Sequence, residues 1–104
     1  MFTLLLFDGW HPSAAGYRTL VAIADRVRAR FATFVVTPRA DRPAEIPSEL
    51  SVLHDTAGEV EARYGARTEC LYLVRPDLYI GFRSQPADGD ALMAHLGQLL
   101  VSGR

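Results

Sequence analysis

Apolar positions along this chain follow two rhythms, one unbroken or alternating and one recurring every three to four residues. The changes between them mark the elements. Thr3-Leu4-Leu5-Leu6-Phe7 is apolar at almost every position, which predicts a first strand buried on both faces. Asp8-Gly9-Trp10-His11-Pro12-Ser13 turns the chain, with Ser13 placed as a helix N-cap and Pro12 just outside the first turn. From Ala14 to Arg30 the apolar residues Tyr17, Leu20, Val21, Ala24 and Val27, then Phe31, recur at helical spacing, while Arg18, Arg26, Arg28 and Arg30 fall mostly outside that stripe. Phe31–Thr37 is β-branched and aromatic and reads as a second strand. Pro38, Pro43 and Pro47 mark an irregular connection that ends in a short extended piece, Ser51–His54.

A short second helix follows, with Thr56 and Glu59 spaced as a capping box, Ala57, Val60 and Tyr64 on its apolar face, and Gly65 at its C-terminal end. Cys70–Val74 is then an unbroken apolar run, Arg75-Pro76-Asp77 a turn, and Tyr79–Arg83 an alternating run with Ile80 and Phe82 on one face and Tyr79, Gly81 and Arg83 on the other. After turn residues 84–89, with Asp88 or Asp90 available as N-cap, Leu92, Met93, Leu96, Leu99 and Leu100 form the stripe of a last helix, and Gly103 lies beyond it. The order is β-α-β-α-β-β-α. A parallel βαβ unit, a helix, an antiparallel hairpin and a closing helix form the order of the thioredoxin-like fold. The expectation is one α/β domain over residues 1–104, with a four-stranded mixed sheet covered by helices on both faces and the strand ending in Arg83 outermost.

Composition narrows the function classes. At 104 residues the chain is long enough for one core. With 11 basic against 12 acidic residues there is no whole-chain field to favour nucleic acid or an anionic membrane. The apolar N-terminus lacks a basic flank, is interrupted by Asp8, and is too short for a membrane span or a signal peptide. One cysteine allows no internal disulfide, no CxxC pair and no cysteine-based zinc site, and fits a reducing, cytoplasmic setting.

In thioredoxin-like proteins a reactive cysteine sits between the first strand and the first helix, where the helix N-terminus lowers the thiol pKa. Here that place is Trp10-His11-Pro12-Ser13. A cis-proline is expected just before the third strand of that fold, and here the approach is Arg67-Thr68-Glu69. Cys70 falls inside a buried strand and reads as a core thiol. His11, His54 and His95 show no ligand spacing, Ser13 beside His11 reads as a cap, Asp88 and Asp90 continue into no calcium loop, and no G-x-G-x-x-G follows a strand. No catalytic, cofactor-binding or metal-binding residue is therefore assigned.

Tyr64-Gly65, Leu73-Val74-Arg75-Pro76-Asp77 and Tyr79-Ile80-Gly81-Phe82-Arg83 together resemble the C-terminal thioredoxin-like domain of FAD-dependent aromatic hydroxylases, the phenol-hydroxylase and polyketide-hydroxylase group. Leu78 stands where that pattern has a turn glycine, and Phe82 where it has tryptophan. The resemblance implies a non-catalytic accessory domain. Its partners would be flavin-binding domains or a second copy of itself, and FAD and NAD(P)H would belong to the parent enzyme alone. Arg75, Pro76, Asp77 and Arg83 are the structural motif, with Asp77 between two arginines able to pin the hairpin. Trp10, His11 and Gly16 are the candidate interaction surface, with Trp10 either an anchor for a partner or a cover for the sheet edge. Two other readings stand beside this one: a free-standing protein- or ligand-binding module, and a redox protein using Cys70 alone.

Overall fold

The computed structural model describes residues 2–9, 12–77 and 79–102, with side chains as far as residue 97. Eight elements follow one another: β1 (Thr3–Phe7), α1 (Ala14–Val27), β2 (Ala32–Thr37), β3 (Ser51–His54), α2 (Glu59–Tyr64), β4 (Cys70–Val74), β5 (Ile80–Ser84) and α3 (Gly89–Ser102). They form one sheet in the order β3-β2-β1-β4-β5. β1 and β3 run parallel to β2, β4 runs antiparallel to β1, and β5 antiparallel to β4. The thioredoxin-like arrangement is therefore present, with five strands where four were expected.

The additional strand is Ser51–His54. Three of its four residues are exposed, so its place in the sheet comes from backbone pairing to Phe34–Thr37 and not from an apolar signal.

The unbroken apolar runs follow from the two covered faces. Leu4 and Leu6 of β1 and Leu71 and Leu73 of β4 join Tyr17, Leu20, Ala24 and Val27 of α1 and Leu92 and Leu96 of α3 in the larger core. Phe7, Val36, Cys70 and Tyr72 form a smaller core on the opposite face, with Leu5 and Tyr64 packed against it. Each large aliphatic side chain fully buried here contributes roughly 1.5–3 kcal/mol of hydrophobic stabilisation. On the smaller face Phe7, Tyr64 and Tyr72 meet ring to ring, Tyr64 and Tyr72 edge-on at 4.8 Å, and the Tyr72 hydroxyl donates to the Tyr64 carbonyl.

α1 begins where its sequence places it: the Ser13 hydroxyl accepts from the Gly16 N–H at 3.0 Å. α2 departs from expectation. Its N-cap is Gly58, in the left-handed region at φ 70°, and not Thr56. The helix starts from Asp55, whose Oδ2 accepts the Glu61 N–H at 2.9 Å. This phase leaves Ala57 and Val60 exposed and turns Glu61 inward, with Tyr64 half-buried. Gly65 ends the helix at φ 66° as expected. Asp88 caps α3, accepting from the Ala91 N–H.

In the hairpin the pairing shifts after Leu73, which faces Phe82, while Val74 faces Ile80. Gly81 is the extra residue, and a side chain on it would crowd Arg75. Among the described residues Asp77 forms its ion pair with Arg75, at 2.9 Å and well exposed, and it accepts the Tyr79 N–H. Arg83 does not join this pair; it lies across the strand from Tyr72, beside Arg63 and Tyr64.

Candidate functional site

Parallel β1 and β2 end on the same side of the sheet, and antiparallel β4 begins there, with Phe7 facing Val36 on one flank and Cys70 on the other. Crevices at the carboxyl ends of strands are the usual ligand positions in open α/β sheets. Here that edge gathers Asp8 and Gly9 after β1, Thr37 at the end of β2 with Pro38 and Arg39 after it, and Glu69 and Cys70 where β4 begins. Glu61 of α2 completes the group.

Asp8 extends β1 by one residue, its N–H reaching the Val36 carbonyl at 3.4 Å. Its side chain is 3% exposed, and Oδ2 accepts the Tyr17 hydroxyl at 2.7 Å. Gly9 follows at φ 82°; a Cβ there would lie 2.5 Å from the Thr68 carbonyl carbon, so this loop closes on the β4 approach only with glycine. Thr37 is buried, and its hydroxyl accepts the Arg39 N–H.

The approach to β4 is fastened by Gln85, a residue with no sequence signal. Its Oε1 accepts the N–H groups of Arg67 at 2.7 Å and Thr68 at 3.0 Å, and its Nε2 donates to the Gly65 carbonyl. The Ala87 N–H donates to the Glu69 carbonyl. No proline lies in this approach; the cis peptide bond among the described residues is Gln85–Pro86, past β5. The Arg67 and Thr68 N–H groups are thus taken by the chain itself.

The electrostatics of this edge are acidic. Glu61 is 4% exposed. Burial, then the charges of Asp8 and Asp55, push its carboxyl up to about 7. Tyr17 is raised by burial and then by its hydrogen bond to Asp8, with the Arg39 side chain acting in the opposite sense. Cys70 is fully buried in the smaller core, and burial, then Glu61, Glu69 and Asp8, push its thiol up to about 12. At neutral pH about one molecule in 10⁵ would then carry the thiolate. A cavity of about 490 Å³ opens at this edge, lined by Gly9, Pro12, Pro38, Arg39, Gly58 and Glu61.

The residues singled out from sequence are dispersed. Trp10 and His11 lie outside the described residues. Gly16 is buried, and a Cβ there would meet Ser13 Oγ at 3.3 Å and the Glu69 carboxylate at 3.5 Å, so it serves close packing and no open surface. Arg75, Pro76 and Asp77 form an exposed turn far along the sheet from this edge. His54 faces the Arg39 carbonyl and His95 stacks on Phe82. Among the described residues no group of three metal-ligating side chains comes together, and no helix is long and apolar enough to cross a membrane.

Sequence reasoning missed Asp8 and Glu61. Asp8 reads as a turn residue, and Glu61 lies between Val60 and Tyr64 on what the spacing marks as a solvent position. The one usable sign was an acid directly after a doubly buried strand.

No family model and no curated relative matches the sequence. Solved structures do match its fold. A thiol-disulfide oxidoreductase from Bacteroides fragilis superposes with a TM-score of 0.68 at 21% identity, over 94% of this chain and 80% of that one. The exposed lipoprotein thioredoxin Etrx1 of Streptococcus pneumoniae gives a TM-score of 0.68 at 17% identity, over 94% and 84%. A secreted Mycobacterium tuberculosis disulfide oxidoreductase homologous to E. coli DsbE gives 0.63 at 20%, over 94% and 81%. These likenesses establish the class: an α/β protein of thioredoxin-like fold.

They also correct the hydroxylase resemblance. The structures this chain resembles are thiol-disulfide oxidoreductases and not C-terminal domains of aromatic hydroxylases. The accessory-domain role, the flavin-domain partners and the dimerisation role fall with it. The physical reason lies in the motif itself. Arg75-Pro76-Asp77 closes a hairpin through local turn chemistry, an Arg75–Asp77 pair and an Asp77 oxygen on the Tyr79 N–H. Any hairpin of this fold can use such a turn, whatever the protein does.

Proposed function

We propose that this chain is a thioredoxin-fold binding module that works without thiol chemistry, taking its ligand or protein partner at the carboxyl-terminal edge of β1 and β2. The observation that carries the reading is the state of its one cysteine. Cys70 is fully buried on the α2 face with its thiol pushed up to about 12, whereas dithiol exchange needs an exposed sulfur with thiolate character. Neither Ser13 at the head of α1 nor the Gln85-fastened loop before β4 replaces that function. What the edge retains is a preformed concavity with small apolar walls and few polar groups, the usual character of a small-ligand site. A lone buried thiol fits a reducing compartment, and a cytoplasmic location is part of this reading.

The test is native-state thiol labelling. In folded protein at pH 8, Cys70 should resist Ellman's reagent over hours and react promptly once denatured. The chain should also not accelerate insulin reduction by dithiothreitol. Modification of Cys70 within minutes in the folded state, or a mixed disulfide with a model peptide, would overturn the proposal.

A further inference from the structure

Among the described residues, two buried side-chain oxygens have no hydrogen-bond partner: Asp8 Oδ1 and Glu61 Oε2. Both residues are more than nine-tenths buried, and a buried acceptor left unpaired is destabilising because it has given up its water without a replacement. An unpaired oxygen on a residue that lines a cavity points to a group that is meant to arrive there. Glu61 itself lines the cavity, while Arg39 stands exposed among its other walls.

The chemistry of the cavity selects the visitor. An anion would meet the Glu61 carboxylate, on which the charges of Asp8 and Asp55 already act unfavourably. A divalent cation would find no group of three ligating side chains among the described residues. An apolar group would leave the orphaned oxygens as they are. A donor that carries positive charge satisfies both the hydrogen-bond deficit and the excess of negative charge.

We propose that the cavity formed by Gly9, Pro12, Pro38, Arg39, Gly58 and Glu61 binds a primary ammonium group, held by the Glu61 carboxylate, with Arg39 taking an acceptor on the same molecule. The proposal rests on reading the chain as a binding module. A free amino compound and a lysine side chain share this chemistry. The charged or titratable groups facing Glu61 are Asp8 beyond β1, Asp55 before α2, Arg39 beyond β2, and Cys70 of β4. Glu61 itself has been moved into the neutral range, so affinity rises from pH 6 to pH 8 as it ionises and the ammonium stays charged.

The experiment is a titration followed by amide and carboxyl NMR on the full chain. Its probes are n-propylamine, n-propanol, 4-aminobutyrate and Nα-acetyl-lysine amide. Saturable shifts at Gly58 and at Ala62, which also lines the cavity, are expected with the three amines and not with propanol. The midpoint of the Glu61 carboxyl should fall by at least one pH unit on saturation. Glu61→Gln should weaken amine binding at least tenfold, with its amide spectrum confirming the fold. Arg39→Ala should weaken 4-aminobutyrate and leave propylamine unchanged. Tighter binding of 4-aminobutyrate would identify a free amphipathic amine as the ligand type, and tighter binding of the lysine amide a lysine side chain. The proposal is overturned if propanol matches propylamine, if Glu61→Gln binds as the wild type does, or if no saturable shift appears by about 50 mM amine, a concentration that corresponds to a binding free energy weaker than about 2 kcal/mol. Cys70 labelling in the same samples separates the two ideas. An inert thiol with no amine binding defeats only this proposal, and a reactive thiol defeats the module reading.

Discussion

Glu61 makes the stability of this protein depend on pH in a way that one substitution should abolish. The carboxyl is buried among other acids and is raised from its ordinary 4.5 to about 7. Below pH 4.5 it is protonated in folded and unfolded chains alike, and it carries no penalty. Between 4.5 and 7 the unfolded chain releases the proton while the folded chain keeps it. Stability therefore falls as pH rises, by at most about 1.4 kcal/mol per pH unit. Above 7 both states are ionised and the whole penalty persists, roughly 3 kcal/mol for the distance from 4.5 to about 7.

Glu61→Gln removes the titration while keeping the shape, and it leaves the Glu61 N–H on Asp55 in place. Tyr17 and Cys70 are raised from values that already lie above this window. Urea unfolding at pH 5, 6, 7 and 8 should show the variant's advantage growing by roughly 2–3 kcal/mol, from about 1 kcal/mol at pH 5 to about 3 kcal/mol at pH 8. A gap that stays constant within about 0.5 kcal/mol from pH 5 to pH 8 would refute the reasoning, because a Glu61 that ionises normally gives that result.

The remaining predictions concern the architecture around that residue. Gly9→Ala should destabilise by about 3 kcal/mol or more in thermal melts, through its positive φ and the 2.5 Å approach to Thr68, whereas Gly58→Ala, with open space around it, should lose only about 1 kcal/mol. Tyr17→Phe takes the one donor from Asp8 and should cost about 1–3 kcal/mol in denaturant unfolding. Asp77→Ala should change stability by less than about 1 kcal/mol, since its pair with Arg75 is exposed on both sides; a larger loss would mean that the turn holds the hairpin after all.

What the sequence makes legible is decided by whether a residue's surroundings are local. Leu4, Leu6, Leu71 and Leu73 announce a doubly covered sheet because both cores select for apolar residues at every position of β1 and β4. Ser13 and Gly65 announce helix ends because the groups they serve lie within a turn. Ser51–His54 is hidden because an edge strand can be recruited by backbone alone. The phase of α2 is hidden because Thr56 and Glu59 have the spacing of a capping box, while the helix instead starts at Gly58 with Asp55 on the Glu61 N–H. That single change of phase turns an apolar-looking Val60 outward and an acidic Glu61 inward. Local pattern and observed burial disagree most at Glu61, and such disagreements tend to mark positions kept for function at some cost in stability. The hairpin motif that fits its local chemistry best, Arg75-Pro76-Asp77, is for the same reason the poorer guide: a turn that satisfies itself carries no information about what the protein binds. The two acids at the sheet edge do not satisfy themselves, and the unpaired oxygen on each is therefore the stronger evidence for where a ligand goes.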